Sequence, residues 1–205
     1  MPRLSTDRNL PPAVTNIHLS SALNDCGKFK VKDTFDKSTA SELFAYDDPT
    51  LGYTDWIDAA PEFPSKCFIA KNSNNSTIVL LPLDGRTITG ANVTKGGVCD
   101  GMLLTEKQMT LVEFKTNVTS ENYHTILDRA NHAVVQLWHT FAAIIKPRCL
   151  NQGKDIDSLL QIDFYIVFDK DLEITGIRSE LMDVQTQFLE DHNLVLYVGN
   201  EKTFV

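Results

Sequence analysis

Gly97-Val98-Cys99-Asp100-Gly101-Met102-Leu103-Leu104, then Thr105-Glu106-Lys107-Gln108, then Met109-Thr110-Leu111-Val112-Glu113-Phe114-Lys115-Thr116 is the stretch on which the reading of the fold turns. Two runs of strand-forming residues flank a short polar segment, the pattern of an antiparallel hairpin. Setting the midpoint of the turn between Glu106 and Lys107 places Asp100 directly opposite Glu113. Cross-strand partners share a face with Cβ atoms about 4.5–5.5 Å apart, and Lys115, two residues on, shares that face as well. Leu103, Leu104, Leu111, Val112 and Phe114 are apolar on both faces, so these strands are expected inside the fold. Charges there are costly unless they are paired or bound to metal.

Working outward, Cys67 to Lys71 and Thr77 to Leu83 flank Asn72-Ser73-Asn74-Asn75-Ser76, a turn-rich segment that predicts a first hairpin. Lys28-Phe29-Lys30-Val31-Lys32 alternates strictly and predicts a strand with one basic face. Ser38 to Tyr46 fits a short helix with Ala40, Leu43 and Phe44 as its stripe, ended by Asp47-Asp48-Pro49. The stretch from Pro49 to Pro64 reads as loop with a turn of helix around Trp56. A long helix is expected from about Ser120 to Ile145, capped by Thr119 or Ser120 with Glu121 in its first turn. Its stripe is Tyr123, Leu127, Ala130, Val134, Leu137, Phe141 and Ile144, and Pro147 should stop it. A buried strand at 161–168, a helix at about 178–190 and a strand at 194–198 complete the order. That order predicts an α/β protein: a central mixed sheet with helices packed on it, in a single domain over 1–205. Residues 1–15 read as a loose lead-in, about 38–168 as the core, and 171–205 as a C-terminal helix and strand.

Two carboxylates at cross-strand separation repel one another, and a hard cation such as Mg²⁺ relieves that repulsion. Such a cation can polarise a phosphoryl oxygen and lower the pKa of a bound water, while a neighbouring ammonium stabilises developing negative charge. The combination suits phosphodiester hydrolysis. A structural Lys–Glu ion pair is the alternative. Glu113-Phe114-Lys115 is the one acid-x-Lys triplet in the chain, and it falls on an apolar strand with an acid facing it.

With these residues in hand, the segment Gly97-Val98-Cys99-Asp100-Gly101-Met102, followed by Leu111-Val112-Glu113-Phe114-Lys115, resembles the D…(D/E)-x-K core of the PD-(D/E)XK nuclease superfamily, the restriction-endonuclease-like group. The resemblance spans roughly Ser38 to Phe168. It implies an αβββαβ core, with Asp100, Glu113 and the backbone carbonyl of Phe114 as ligands to Mg²⁺ or Mn²⁺ and Lys115 positioning or activating the attacking water. It also implies a Glu on a helix before the strands, best matched by Glu42, and a Gln on the helix after the motif, best matched by Gln136. The departure is at Cys99, where the superfamily pattern has Pro.

The remaining features bound the reading. Lys28, Lys30 and Lys32 offer a phosphate-contacting row, although such a row is more often a solvated edge that blocks strand association. His124, His132 and His139 lack the spacing of a zinc pair. Neither a phosphate-cradling Gly-rich loop nor a linked Ser–His nucleophile pattern occurs. The composition, 42% hydrophobic and 22% charged, is ordinary for a globular chain of 205 residues. A net charge of −8 argues against a protein that coats nucleic acid non-specifically, but leaves room for a local basic strip. Cys26, Cys67, Cys99 and Cys149 are far apart, outside any C-x-x-C pair, and read as small buried hydrophobes in a reducing cytoplasm. The N-terminus lacks an apolar signal region and no stretch is long enough to span a bilayer, so a cytoplasmic location away from membranes is expected. DNA is the expected substrate. A rival of another class is a non-catalytic module for protein or nucleic-acid binding on the same fold, and a homodimer stays open.

Overall fold

The computed structural model of the chain describes residues 9–119, 122–172 and 175–205. In chain order the helices are α1 (Pro12–Thr15), α2 (Leu19–Ala22), α3 (Val31–Thr34), α4 (Tyr123–Trp138), α5 (Lys146–Asn151), α6 (Ile156–Leu159) and α7 (Arg178–His192). The strands are β1 (Asp36–Ser38), β2 (Glu42–Asp48), β3 (Tyr53–Ile57), β4 (Phe68–Asn72), β5 (Ile78–Pro82), β6 (Gly101–Leu104), β7 (Gln108–Phe114), β8 (Gln161–Val167), β9 (Val195–Val198) and β10 (Glu201–Phe204).

The hairpin that opened the sequence reading forms in the expected register, Gly101 against Val112 and Leu104 against Met109. It lies in the middle of a six-stranded mixed sheet ordered β1-β5-β6-β7-β8-β9. β5, β6 and β7 form an antiparallel meander. α4 and the helices after it then carry the chain over to β8, which lies parallel to β7, and α7 leads on to β9, parallel to β8. Every residue of β5, β6 and β7 is buried, as the near-continuous apolar character of these strands demands of a sheet covered on both faces.

The two faces meet different layers. Val79, Leu81, Met102, Leu104, Met109, Leu111, Phe164 and Ile166 pack toward the helices. Ile78, Leu80, Leu103, Val112, Phe114, Tyr165 and Val167 pack against Leu43, Ala45, Trp56, Phe68, Ala70 and Phe204 of a second, four-stranded sheet ordered β10-β4-β2-β3. The protein is therefore α/β with two mixed sheets, and helices cover one face of the central sheet rather than both.

That second sheet accounts for most of the corrections. Ser38 to Tyr46 is not a helix: β2 occupies 42–48 and pairs with both β3 and β4. Trp56 belongs to β3, with its indole N–H donated to Asp36 Oδ2 at 2.8 Å. β4 and β5 are consecutive strands but not a hairpin, because they belong to different sheets. Between them Asn72 ties the crossing: its amide donates to Ala40 O (3.1 Å) and Ser76 O (2.8 Å), and its Oδ1 accepts from Ser76 N–H (3.0 Å). The same Asn- and Ser-rich chemistry serves a reversal or a layer crossing. β10, for which no strand was expected, adds parallel to β4. Residues 28–32 are not a strand, since α3 begins at Val31.

The long helix also differs. Asn122 caps it, accepting the His124 N–H at 3.0 Å, and the expected cap Ser120 and first-turn Glu121 lie outside the described residues. Its buried face is Ile126, Ala130, Ala133 and Leu137, with Tyr123 exposed. Pro147 does not end the helical path. A π-helical segment, His139–Ile145, precedes α5, and the Lys146 N–H bonds to Phe141 O, five residues back. Widening the turn in this way accommodates the proline, which an unbroken α-helix would not.

Cys26, Cys67, Cys99 and Cys149 are buried and free. Among the described residues no helix is long and apolar enough to cross a membrane.

One polar cluster is sealed between the sheets. Lys202 Nζ of β10 donates to Thr110 Oγ1 at 2.7 Å and Asp163 Oδ2 at 2.5 Å, and Lys202 and Asp163 are only 8% and 3% exposed. Removing one member of such a pair leaves an uncompensated buried charge. Lys202→Met should lower the urea-unfolding free energy by about 3–5 kcal/mol, and adding Asp163→Leu should recover most of the loss. A loss under about 1 kcal/mol for the single variant would show that the pair does not clamp the layers.

Candidate functional site

The β6/β7 ladder ends at Gly101 and Val112, and the two acidic side chains complete it. Asp100 N–H donates to Glu113 Oε2 at 3.2 Å, and Phe114 N–H donates to Asp100 Oδ2 at 2.6 Å. Each carboxylate thus takes a backbone donor from the opposite strand, which holds both acids at the end of the hairpin.

Lys115 continues β7 by donating its N–H to Val167 O at 2.7 Å. Its ammonium donates to Glu113 Oε1 at 2.5 Å and Gln136 Oε1 at 2.9 Å, and the Gln136 amide in turn donates to Val98 O at 3.2 Å. Asp100, Glu113, Lys115 and Gln136, four residues singled out from the sequence, therefore meet at one place, drawn from β7, the approach to β6, and α4.

Gln136 is set by its neighbourhood. Thr140 Oγ1 donates to Gln136 O at 2.7 Å and accepts the Cys99 N–H at 2.8 Å, so a single hydroxyl fastens the chain entering β6 to α4. Gly97 makes the approach possible. Its φ is +88°, and a Cβ there would stand 2.7 Å from Gln136 Cγ, so any other residue would be both strained and obstructed. His139, one turn beyond Gln136, places Nδ1 2.7 Å from Gly97 O, a packing role rather than one at the acids.

The electrostatics are those of crowded acids. Burial pushes the Asp100 carboxyl well above its ordinary value; Glu113 and Asp47 add to the rise, and the Phe114 N–H and Lys115 oppose it. Burial likewise raises Glu113 to about 7 against the pull of Lys115 and the Asp100 N–H, with Asp84 pushing upward. Asp47, at the end of β2, is itself raised by burial and by Asp84 and Asp48, and Asp84 is raised by burial. Glu113 is buried and Asp100 half-buried, while Asp47 and Asp84 stand exposed beside them, and crowding like charges at a partly desolvated place favours their neutral forms or a cation between them.

Asp47 and Asp84 were not anticipated. Asp47 was read only as part of the Asp47-Asp48-Pro49 stop, and Asp84, before Gly85, lies just past the end of the expected strand at Leu83. Glu42 is not at the site. It stands on strand β2 opposite Lys71, not on a helix, and an extended strand puts it roughly 16 Å from Asp47. Lys28, Lys30 and Lys32 do not share a face. Lys30 donates to the Asn24 carbonyl, Lys32 lies in α3, and Lys28 sits over the Phe29 ring.

As to metal, among the described residues no three acidic, histidine or cysteine side chains form a ready-made cage. The donors present are two carboxylates with backbone oxygen beside them. That set suits an ion that keeps several of its own waters, as Mg²⁺ does, and does not suit zinc. The buried Thr54 hydroxyl, without a partner among the described residues, lies against Gly101 next to Asp100, a further oxygen with an unused hydrogen-bonding valence.

Comparison with family models, with characterised proteins and with solved structures returned no match.

The folded state holds the Glu113 proton to higher pH than the unfolded chain does. Its contribution to stability is thus fully present below the ordinary carboxyl value of 4.5 and is lost as pH rises toward about 7. A ¹³C-carboxyl NMR titration should place the Glu113 midpoint near 7, and Lys115→Met should move it higher. A midpoint in the ordinary glutamate range of about 4.3 would contradict the crowded-acid description.

Proposed function

We propose that this chain is a divalent-metal-dependent nuclease of the PD-(D/E)XK type that hydrolyses phosphodiester bonds in DNA. The observation that carries the reading is the meeting of Asp100, Glu113, Lys115 and Gln136 through the hydrogen bonds just described. The order of elements lends support: an antiparallel meander, a helical crossover, and a strand parallel to the last strand of the meander resemble the βββαβ part of that superfamily's core. The helix that precedes it there is replaced at 42–48 by a strand.

Asp100, Glu113 and the carbonyl of Phe114 would hold Mg²⁺ or Mn²⁺. When bound, the ion supplies Lewis acidity toward a phosphoryl oxygen and a more acidic water. Asp100 and Glu113 would bind it as carboxylates, so the protons that burial favours on them would be released on binding, and affinity would rise with pH. Lys115 would then share Glu113 with the ion. Tethered by Gln136, its ammonium is free to donate to the attacking water or to the phosphoryl oxygen on which negative charge grows. In the reaction the water oxygen bonds to phosphorus, the bond to one chain oxygen breaks, and that oxygen leaves with a proton. Gln136 acts through Lys115 and is a positioning residue.

A rival reading has one observation of its own. The 2.5 Å contact between Lys115 and Glu113 is what a purely structural ion pair would show, and a non-catalytic interaction module could keep it. Cleavage separates the two. With Mn²⁺ or Mg²⁺ the protein should nick supercoiled plasmid. Glu113→Ala and Lys115→Ala should each lower the rate at least roughly a hundredfold while keeping a cooperative thermal transition, and EDTA should abolish nicking. Plasmid left intact by the wild-type protein across both metals contradicts the nuclease assignment.

A further inference from the structure

Arg86 lies in the connection between β5 and β6, two residues after Asp84. Its guanidinium carbon is 4.4 Å from the Phe29 ring centroid and 4.8 Å from that of Tyr53. Lys28 Nζ stands 5.5 Å from the same Phe29 ring. Three separate segments build this cluster: the loop before α3, the first residue of β3, and the turn after β5. Both rings and Arg86 are half-buried and Lys28 is exposed.

The cluster adjoins the acids. A Cβ on Gly85, whose φ is +68°, would stand 2.3 Å from Gly52 O, so the 84–86 turn rests directly on the turn between β2 and β3. Tyr53 precedes Thr54, which faces Asp47 in register and lies against Gly101.

The guanidinium rests over both rings, yet its N–H groups donate to no acceptor among the described residues. This is unusual in a chain of net charge −8. An Arg held over aromatic rings without an acceptor of its own keeps its N–H donors for an external one, and phosphate takes such donors two at a time. Acidic groups crowd the neighbouring site, so a polyanionic substrate needs a cation at its edge.

Resting on the nuclease reading above, we propose that Arg86, held against Phe29 and Tyr53 and assisted by Lys28, seats a backbone phosphate of the nucleic-acid strand that is cut at Asp100 and Glu113. Of the basic row read from the sequence, Lys28 alone takes part.

The test uses the full chain, a fluorescein-labelled DNA 20-mer read by anisotropy with Ca²⁺ in place of Mg²⁺, and plasmid cleavage with Mg²⁺. Arg86→Gln should weaken oligonucleotide binding roughly tenfold. It should also reduce the slope of log K against log salt by about one, and raise KM with kcat within about twofold. Arg86→Lys should fall between, since it keeps the charge but not the planar fork. Lys28→Gln, a change at an exposed side chain that leaves the fold undisturbed, should lower the salt slope as well. An active wild type whose Arg86→Gln and Lys28→Gln variants bind and cleave as it does overturns the phosphate contact and leaves the nuclease intact. Arg86-dependent binding without cleavage by any form overturns the nuclease and leaves the phosphate contact standing. A wild type that neither binds nor cuts overturns both.

Discussion

Two carboxylates exchange backbone hydrogen bonds across the end of one hairpin, and the site depends on that exchange. Glu113 takes the N–H of Asp100, and Asp100 takes the N–H of Phe114. An ordinary ladder would have ended there in backbone-to-backbone bonds. With side-chain oxygens as acceptors, the strands stay joined while two negative groups are brought to one buried spot. The backbone donors favour the ionised acids, but burial outweighs them and raises both carboxyls above their ordinary values. Everything else near the site adjusts to the excess of acid: Lys115 turns back onto Glu113, Gln136 holds Lys115, and Asp47 and Asp84 feel the same field.

The layering explains why this spot is where it is. The central sheet is covered by helices on one face and by a second sheet on the other, and its inner strands β5, β6 and β7 are buried along their whole length. Glu113 and Lys115 point to the helix side, where α4 supplies Gln136, while β2 and β3 approach from the other side with Asp47 and Thr54. The π-helical turn after Gln136 and the Thr140 hydroxyl bound to Cys99 fix the helix to the hairpin. Irregular helix geometry at such a point is a common accompaniment of functional sites.

How much of this could be read beforehand followed from whether a signal was local. The hairpin register depends only on turn length and alternation, so Asp100 opposite Glu113 was legible, and so was Lys115 beside them. Gln136 was reached only through the resemblance, which implies a Gln on the helix after the motif; periodicity predicted the helix itself, whose buried face runs through Ile126 and Ala133. The segment 38–46 misled because Ala40, Leu43 and Phe44 have helical spacing. In β2 the chain is buried at Leu43, Phe44 and Ala45 together, and it is the pairing with β3 and β4, a long-range property, that makes it a strand. Glu42, which the resemblance implies on a helix, stands on that strand instead, and Asp47 is the acid of β2 whose charge acts on Asp100. Asn72 to Ser76 announced a turn correctly but gave no sign that the chain was changing sheets.

The central claim is that these two acids make a seat for a hard divalent ion. Crystals soaked in Mn²⁺ and measured for anomalous scattering test it most directly. The account predicts one strong peak bound by carboxyl oxygens of both Asp100 and Glu113, with the Lys115 ammonium turned away from Glu113. Crystals saturated with Mn²⁺ that show no peak there, with Lys115 still bonded to Glu113, would contradict it and leave a structural ion pair in its place.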